Sequence, residues 1–211
     1  MIDSGKKPEV VIMAAVSREI NGTPRQLLEL GGEKLLYRTI RLLRERNLDP
    51  YITVPSLGFY GDTGCREIIG KDASGMGRFL NFKDYLKDYA YFFYGDVYYT
   101  PEAIDTILKD ENEWRMFGRA QASSVEGKAW GEPFAFKVDK YVMGKAQELK
   151  ERIKELSLKK CIGWDLYRYL NGYEPNIHFV KDNFTEIDDF TEDIDRVADY
   201  EKLKRRESKY K

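Results

Sequence analysis

Val10-Val11-Ile12-Met13-Ala14 is a continuous apolar run, not an alternating one, and it decides how the rest of the chain is read. A strand that is apolar on both faces belongs inside a parallel sheet covered by helices on either side. The run ends in the small residues Ala14 and Ala15 and passes into a polar stretch, Ser17-Arg18-Glu19-Ile20-Asn21-Gly22-Thr23-Pro24-Arg25. A helix follows, because Leu36, Ile40 and Leu43 recur at i, i+4 and i+7 among arginines. Asn47 and Pro50 end it, and Tyr51-Ile52-Thr53-Val54 is a second strand stopped by Pro55.

The alternation then repeats. A Gly-rich stretch, 70–77, leads to a predicted helix with Phe79, Leu80, Phe82, Tyr85 and Leu86 on its buried side. Tyr91-Phe92-Phe93-Tyr94 is the next buried strand, with Gly95-Asp96 at its carboxyl end. Thr100-Pro101-Glu102 reads as an N-cap, a first-turn proline and a first-turn acid. Strand alternating with helix specifies right-handed crossovers and a mostly parallel sheet: an α/β, three-layer, Rossmann-like fold with helices on both faces. The second half predicts strands over 114–120, 134–138 and 183–187 and helices over 142–156, 163–170 and 197–206. No repeat or linker divides the chain, so residues 1–211 read as one domain.

Composition narrows the classes. Lys and Arg number 35 against 36 Asp and Glu, which gives no electrostatic case for nucleic acid as a partner. No apolar run approaches the ~18 residues of a membrane span, and 1–7 lack the apolar core of a secretory signal. Two cysteines, Cys65 and Cys161, are too few for a disulfide framework, so a reduced cytoplasm is the expected location. The sequence leaves the oligomeric state open.

In an open α/β sheet, ligands sit beyond the carboxyl ends of the strands. Three polar segments stand there: 15–25, Gly95-Asp96, and the acidic run 186–195. The first offers small residues, backbone N–H groups and the guanidinium groups of Arg18 and Arg25, which suit phosphates. The others offer carboxylates, which suit Mg²⁺.

In order along the chain, these segments resemble the nucleotidyltransferases of the sugar-phosphate and molybdenum-cofactor guanylyltransferase type. That family opens with a strand and a Leu-Ala-Ala-Gly-x-Gly-x-Arg loop, then Pro-Lys and a Leu-rich helix. Here stand Ile12-Met13-Ala14-Ala15-Val16-Ser17-Arg18, then Thr23-Pro24-Arg25-Gln26-Leu27-Leu28, then Tyr37-Arg38-Thr39-Ile40-Arg41-Leu42-Leu43. The family's base-binding Gly-Thr-x-Gly resembles Ser74-Gly75-Met76-Gly77, its metal-binding Gly-Asp-Val is Gly95-Asp96-Val97, and its Glu-Ile-Asp is Glu186-Ile187-Asp188. The resemblance implies a Mg²⁺-dependent transfer of a nucleotidyl group from a nucleoside triphosphate to a small phosphorylated acceptor, with release of pyrophosphate. It implies nucleotide contacts from Ala14, Ala15, Val16, Arg18, Arg25, Gly75 and Gly77, with Arg18 and Arg25 carrying the charge of the reaction.

It further implies Asp96 as one metal ligand and a C-terminal aspartate as the other. Asp188 and Asp195 both answer to that role. Asp188 is favoured because a sheet fixes a strand end, whereas Asp195 has a use as the cap of the terminal helix. For the acceptor, Trp130, Glu132, Trp164 and Asp165 flank loop glycines, where a tryptophan can stack on a sugar or face a quaternary ammonium group. His178 reads as structural.

Two departures stand out. Val16 replaces the first loop glycine, adding a Cβ where backbone approaches phosphate, and Arg25 replaces the lysine. The missing loop glycine keeps open a non-catalytic nucleotide-binding or sensing protein of this fold. The strand-end Asp96 keeps open a metal-dependent glycosyltransferase that consumes a nucleotide-sugar, against which the Pro24-Arg25 loop and Glu186-Ile187-Asp188 favour the nucleotidyltransferase.

Overall fold

A computed structural model describes residues 8–15, 18–72, 74–121, 131–153, 155–156, 158, 162–174 and 179–207. The chain opens with β1 (Glu9–Met13), whose last four residues are all buried. Two tight hairpins follow, β2 (Glu19–Ile20) with β3 (Thr23–Pro24) and β4 (Glu29–Leu30) with β5 (Glu33–Lys34). Asn21 and Gly22 take φ of 53° and 77°, the left-handed pair that a two-residue hairpin turn demands. The helix α1 (Leu35–Arg44) and β6 (Tyr51–Val54) stand where the periodicity puts them.

Next come β7 (Arg66–Ile69) and a helix α2 (Gly77–Leu80) shorter than the apolar spacing predicts. A one-turn 3₁₀ segment, Lys83–Tyr85, replaces its second half, leaving Phe82 and Leu86 buried but Tyr85 exposed. Then follow β8 (Tyr89–Tyr94), β9 (Val97–Tyr98), α3 (Pro101–Leu108), β10 (Arg115–Arg119) and β11 (Glu132–Asp139). Thr100 caps α3 as its sequence predicts, its Oγ1 accepting the Ala103 N–H at 3.0 Å. The chain closes with α4 (Lys140–Glu151), α5 (Gly163–Leu170), β12 (Phe184–Glu186), β13 (Glu192–Asp193) and α6 (Val197–Glu207).

The main sheet has the order β12-β10-β11-β8-β1-β6-β7. Strands β7, β6, β1 and β8 are parallel, β11 runs antiparallel between β8 and β10, and β12 is parallel to β10. The expected α/β fold with a mostly parallel sheet is therefore what the chain adopts. The chain leaves β1 toward β6 and β7, then returns to the other flank of β1 as β8. The reversal makes the β1–β8 boundary the topological switch point, where such sheets bind ligands. β7 was not anticipated, because Arg66-Glu67-Ile68-Ile69 is an edge strand whose charges hide the strand pattern.

Two clusters of buried side chains organise this edge. The large one joins the sheet to its helices, with Val11, Ile12, Phe92, Phe93, Phe117 and Phe136 fully covered. The small one gathers Ile20 and Leu30 from the hairpins, Leu28 between them and Leu35 at the start of α1 with Tyr98, Ile194 and Leu203. Burial of these side chains stabilises by roughly 25 cal/mol per Å² of apolar surface. The smaller cluster also clamps the segment after β1 to the segment before α6. Among the described residues no helix is long and apolar enough to cross a membrane.

Candidate active site

Asp96 stands at the carboxyl end of β8, beside the end of β1. The two strand ends approach closely: a Cβ on Gly95 would lie 3.1 Å from Ala14 Cβ and 3.1 Å from Met13 O. The Gly95 N–H donates to Met13 O at 3.2 Å. Tyr99 braces the turn from below, its hydroxyl accepting the Tyr94 N–H at 3.0 Å and donating to the Phe134 carbonyl. Asp96 is thus held on two sides and is only 5% exposed. A carboxylate at that depth needs a counter-charge.

Arg25 supplies it. The β2–β3 hairpin returns the chain so that Arg25 N–H donates to Arg18 O at 2.9 Å, and a 3₁₀ turn, Arg25–Leu27, points the side chain inward. From the other end of the sequence, β13 pairs antiparallel with β9, placing Asp193 opposite Val97. Ile194 N–H then reaches Asp96 O at 3.4 Å. Arg25, 3% exposed, spans the gap. Its Nη2 lies 2.7 Å from Asp96 Oδ2, and its Nη1 donates to Ile194 O at 2.8 Å and to Asp195 Oδ1. Burial alone would lower the Arg25 pKa, but the carboxylates of Asp96, Asp193 and Asp195 outweigh it and hold the guanidinium charged.

The three polar segments predicted to share one edge do share it, but their donors are used differently. Ala14 and Ala15 were expected to offer free N–H groups to phosphates. Instead, Ala14 N–H donates to Thr53 O and Oγ1, both at 3.1 Å, and Ala15 N–H to Thr53 Oγ1 at 3.3 Å. The Ala14 carbonyl accepts from Tyr60 Oη at 2.6 Å. A buried strand end must satisfy its backbone, and Thr53 on the neighbouring strand does so. Val16 lies outside the described residues. Arg18 is exposed, one residue before β2. Gly75 stands in the turn before α2, and Gly77 begins that helix, its N–H on Ser74 Oγ at 3.0 Å. The same segment carries Arg78 over the Tyr94 ring, 5.5 Å from its centroid, a cation near the strand end that the sequence reading missed.

Of the two C-terminal aspartates, the structure brings Asp195 to Arg25 beside Asp96, while Asp188 is exposed just past buried Ile187. The preference for Asp188 rested on a strand end fixed by the sheet and on a capping use for Asp195; the carboxylate that engages the guanidinium is that of Asp195. Arg119 fastens this region, another residue the sequence reading passed over. It donates from Nη2 to Asp189 O at 3.2 Å and Thr191 O at 3.0 Å, and its Nη1 pairs with Glu192 at 2.9 Å.

The expected acceptor residues are placed as follows. Trp130 lies outside the described residues. Glu132 is buried at the start of β11, 3.8 Å from Arg119 Nη1. Trp164 is no loop aromatic: it is 5% exposed, its indole N–H donates to Gly131 O at 2.9 Å, and its ring stacks on Phe184. Asp165 accepts the Ile162 N–H at 2.9 Å as the third residue of α5 and pairs with Arg168 at 3.1 Å. Burial raises its pKa, with those partners opposing the rise. In this structure the Trp164 ring and indole N–H are engaged in packing, and the Asp165 carboxylate in capping α5 and pairing with Arg168.

Among the described residues no group of three or more His, Cys, Asp or Glu side chains is set to hold a metal ion. Mg²⁺ needs fewer, because it takes one or two carboxylates and completes its shell with waters and substrate phosphates. Asp96, Asp195 and the Ile194 carbonyl are hard-oxygen donors gathered on one cationic centre, so the donor set fits the ion in kind. The Arg25 guanidinium fills the space between these oxygens, with Nε buried and lacking a hydrogen-bond acceptor among the described residues.

No protein-family model matches the chain, and no curated protein matches it. Solved structures do. The CTP:phosphocholine cytidylyltransferase of Streptococcus pneumoniae superposes with a TM-score of 0.57 at 16% identity, covering 94% of this chain and 97% of that one. A putative glucose-1-phosphate thymidylyltransferase from Bacillus anthracis gives 0.64 at 12% identity, covering 95% of each. Molybdopterin-guanine dinucleotide biosynthesis protein A from Archaeoglobus fulgidus gives 0.58 at 12%, covering 96% and 100%. The chain has the fold of these nucleotidyltransferases, in agreement with the sequence resemblance.

Proposed function

We infer that the chain is a nucleotidyltransferase, joining the nucleotidyl part of a nucleoside triphosphate to a small phosphorylated acceptor and releasing pyrophosphate. The observation that carries this reading is the convergence of Arg25, Asp96 and Asp195 at the β1–β8 switch point, in a fold shared with enzymes of that reaction type. The acceptor is a phosphate monoester or a group of like charge. Its second pKa is about 6, so it attacks as an anion near neutral pH and asks no general base of the protein. The site's work is positioning and charge neutralisation. Arg25 offsets charge on the triphosphate. Asp96 and Asp195 are the residues that would hold Mg²⁺, which, when bound, neutralises charge on the phosphates. Arg18, exposed just before β2, would add a second positive charge toward the triphosphate.

One observation favours a second reading, a nucleotide-binding protein without turnover. The Ala14 and Ala15 N–H groups are spent on Thr53, so that part of the backbone gives phosphates no cradle. The test is pyrophosphate release from each of the four triphosphates with Mg²⁺ and a panel of sugar phosphates and phosphocholine. Release that depends on one triphosphate and one acceptor class supports the transferase. Nucleotide binding with no release across the panel supports the second reading.

A further inference from the structure

Three hard-oxygen acceptors surround the head of Arg25: Asp96 Oδ2 at 2.7 Å, Ile194 O at 2.8 Å and Asp195 Oδ1. Carboxylate and carbonyl oxygens suit Mg²⁺ and Mn²⁺ at least as well as they suit a guanidinium. The seat is also imperfect for arginine. Nε is buried with no acceptor among the described residues, and a buried donor left unpaired is costly. The backbone of Arg25 is anchored apart from its side chain, its N–H on Arg18 O at 2.9 Å and its carbonyl accepting from Leu28 N–H at 3.1 Å. The side chain can therefore leave the seat while the chain stays in place.

Space and charge together make the two occupants exclusive. The carboxylates of Asp96, Asp193 and Asp195 all act on Arg25, so the cluster draws a cation to this point. With Arg25 seated between Asp96 and Asp195, an arriving dication would meet a guanidinium at contact distance. We propose that Arg25 is a resident counter-ion that occupies the divalent-cation position between Asp96 and Asp195, so that the ion and the Arg25 side chain exclude one another. The proposal rests on reading this edge as the site of a metal-assisted transferase, and it adds that the site is closed to metal until Arg25 is drawn off.

Mn²⁺ alone is the probe, its free form followed by electron paramagnetic resonance as it is titrated into the full chain. Arg25→Gln should bind one Mn²⁺ per chain at least tenfold more tightly than the wild type, and the gain should vanish in the Arg25→Gln/Asp96→Asn double variant. The melting temperature of Arg25→Gln should rise with Mn²⁺ while that of the wild type does not, as expected when a ligand binds only the folded form. Should Arg25→Gln fold poorly, Arg25→Lys serves, since an ammonium lacks the fork that spans both carboxylates. Its gain should be intermediate. Equal Mn²⁺ affinity in wild type and both variants overturns the proposal, as does a gain that survives loss of Asp96. Turnover is measured separately: a Mn²⁺ gain without pyrophosphate release from any triphosphate keeps the counter-ion role and removes the transferase reading.

Discussion

Arg25 Nη2 and Asp96 Oδ2 lie 2.7 Å apart, both almost wholly buried, joining the segment after the first strand of the sheet to the end of the strand beside it. Asp195 closes the same guanidinium from the far end of the sequence. A buried ion pair is weak testimony to stability, because desolvation offsets much of its attraction. Its value here is placement: it sets two carboxylates and one cation at the switch point of the sheet.

Asp96→Asn keeps the shape of the side chain and removes its charge. The variant should fold and lose at least about two orders of magnitude in kcat/KM for the triphosphate, the scale of a lost charge contact in a transition state. Asp195→Asn should behave alike, while Asp188→Ala, at an exposed position, should stay within about twofold of wild type. Steady-state pyrophosphate release decides it. Loss confined to Asp188→Ala would return the role to that residue.

Arg25→Ala strands Asp96 without its partner. Breaking a buried pair in this way costs about 3–5 kcal/mol, and urea denaturation should show a loss near the lower figure because Asp195 is part-exposed. Arg25→Lys should recover part of the stability and part of the turnover, since the charge returns without the fork. Full activity in Arg25→Ala would show that the residue has no part in the reaction.

Thr53→Val is close to isosteric but removes the acceptor for the Ala15 N–H and one of two for Ala14. Stability should fall by about 1–3 kcal/mol, the cost of an unpaired buried donor. Triphosphate affinity should hold or tighten, because a backbone N–H becomes free. A tenfold weaker Kd would mean that Thr53 itself contacts the nucleotide.

Arg119→Gln leaves the buried carboxylates of Glu132 and Glu192 without the guanidinium between them. Removing one partner of a buried ion pair is costly, so the variant should lose about 3 kcal/mol of stability in urea denaturation. A loss below about 0.5 kcal/mol would place the Arg119 charge outside the packing of this segment.

Asp72 tests the segment that resembles a base-binding loop. Burial pushes its pKa up, but Lys150 at 2.5 Å and the Ser74 N–H at 2.9 Å outweigh it and hold the carboxyl below its usual range. A carboxyl with a depressed folded-state pKa stabilises above its unfolded value of about 3.9, and that contribution is lost as pH falls through the folded value. The difference in melting temperature between wild type and Asp72→Asn should therefore be constant above about pH 5 and close toward pH 3. A gap independent of pH would assign the difference to shape alone.

The sheet was legible because its central strands announce themselves. Val10-Val11-Ile12-Met13 and Tyr91-Phe92-Phe93-Tyr94 are too apolar for anything but an interior strand, and Gly95-Asp96 marks the end of one of them. Asn21-Gly22 is also a legible hairpin signal, and reading that stretch as a loop hid the device that turns Arg25 inward. Two things could not be read. The meeting of Arg25 with Asp195 joins residues 170 apart through a two-residue pairing of β9 with β13, too short to leave a pattern. Trp164 sits beside a glycine exactly as a ligand-facing aromatic would, and only the placement of Phe184 and the Gly131 carbonyl shows that its ring and N–H are already used.

The most direct test is a crystal structure of the protein soaked with CTP or GTP and Mg²⁺. The account predicts a triphosphate at the β1–β8 switch point, with Arg25 turned from Asp96 and Asp195 onto the phosphates and a metal ion between the two carboxylates. A nucleotide bound elsewhere on the molecule, with the Arg25–Asp96 pair intact, would contradict it.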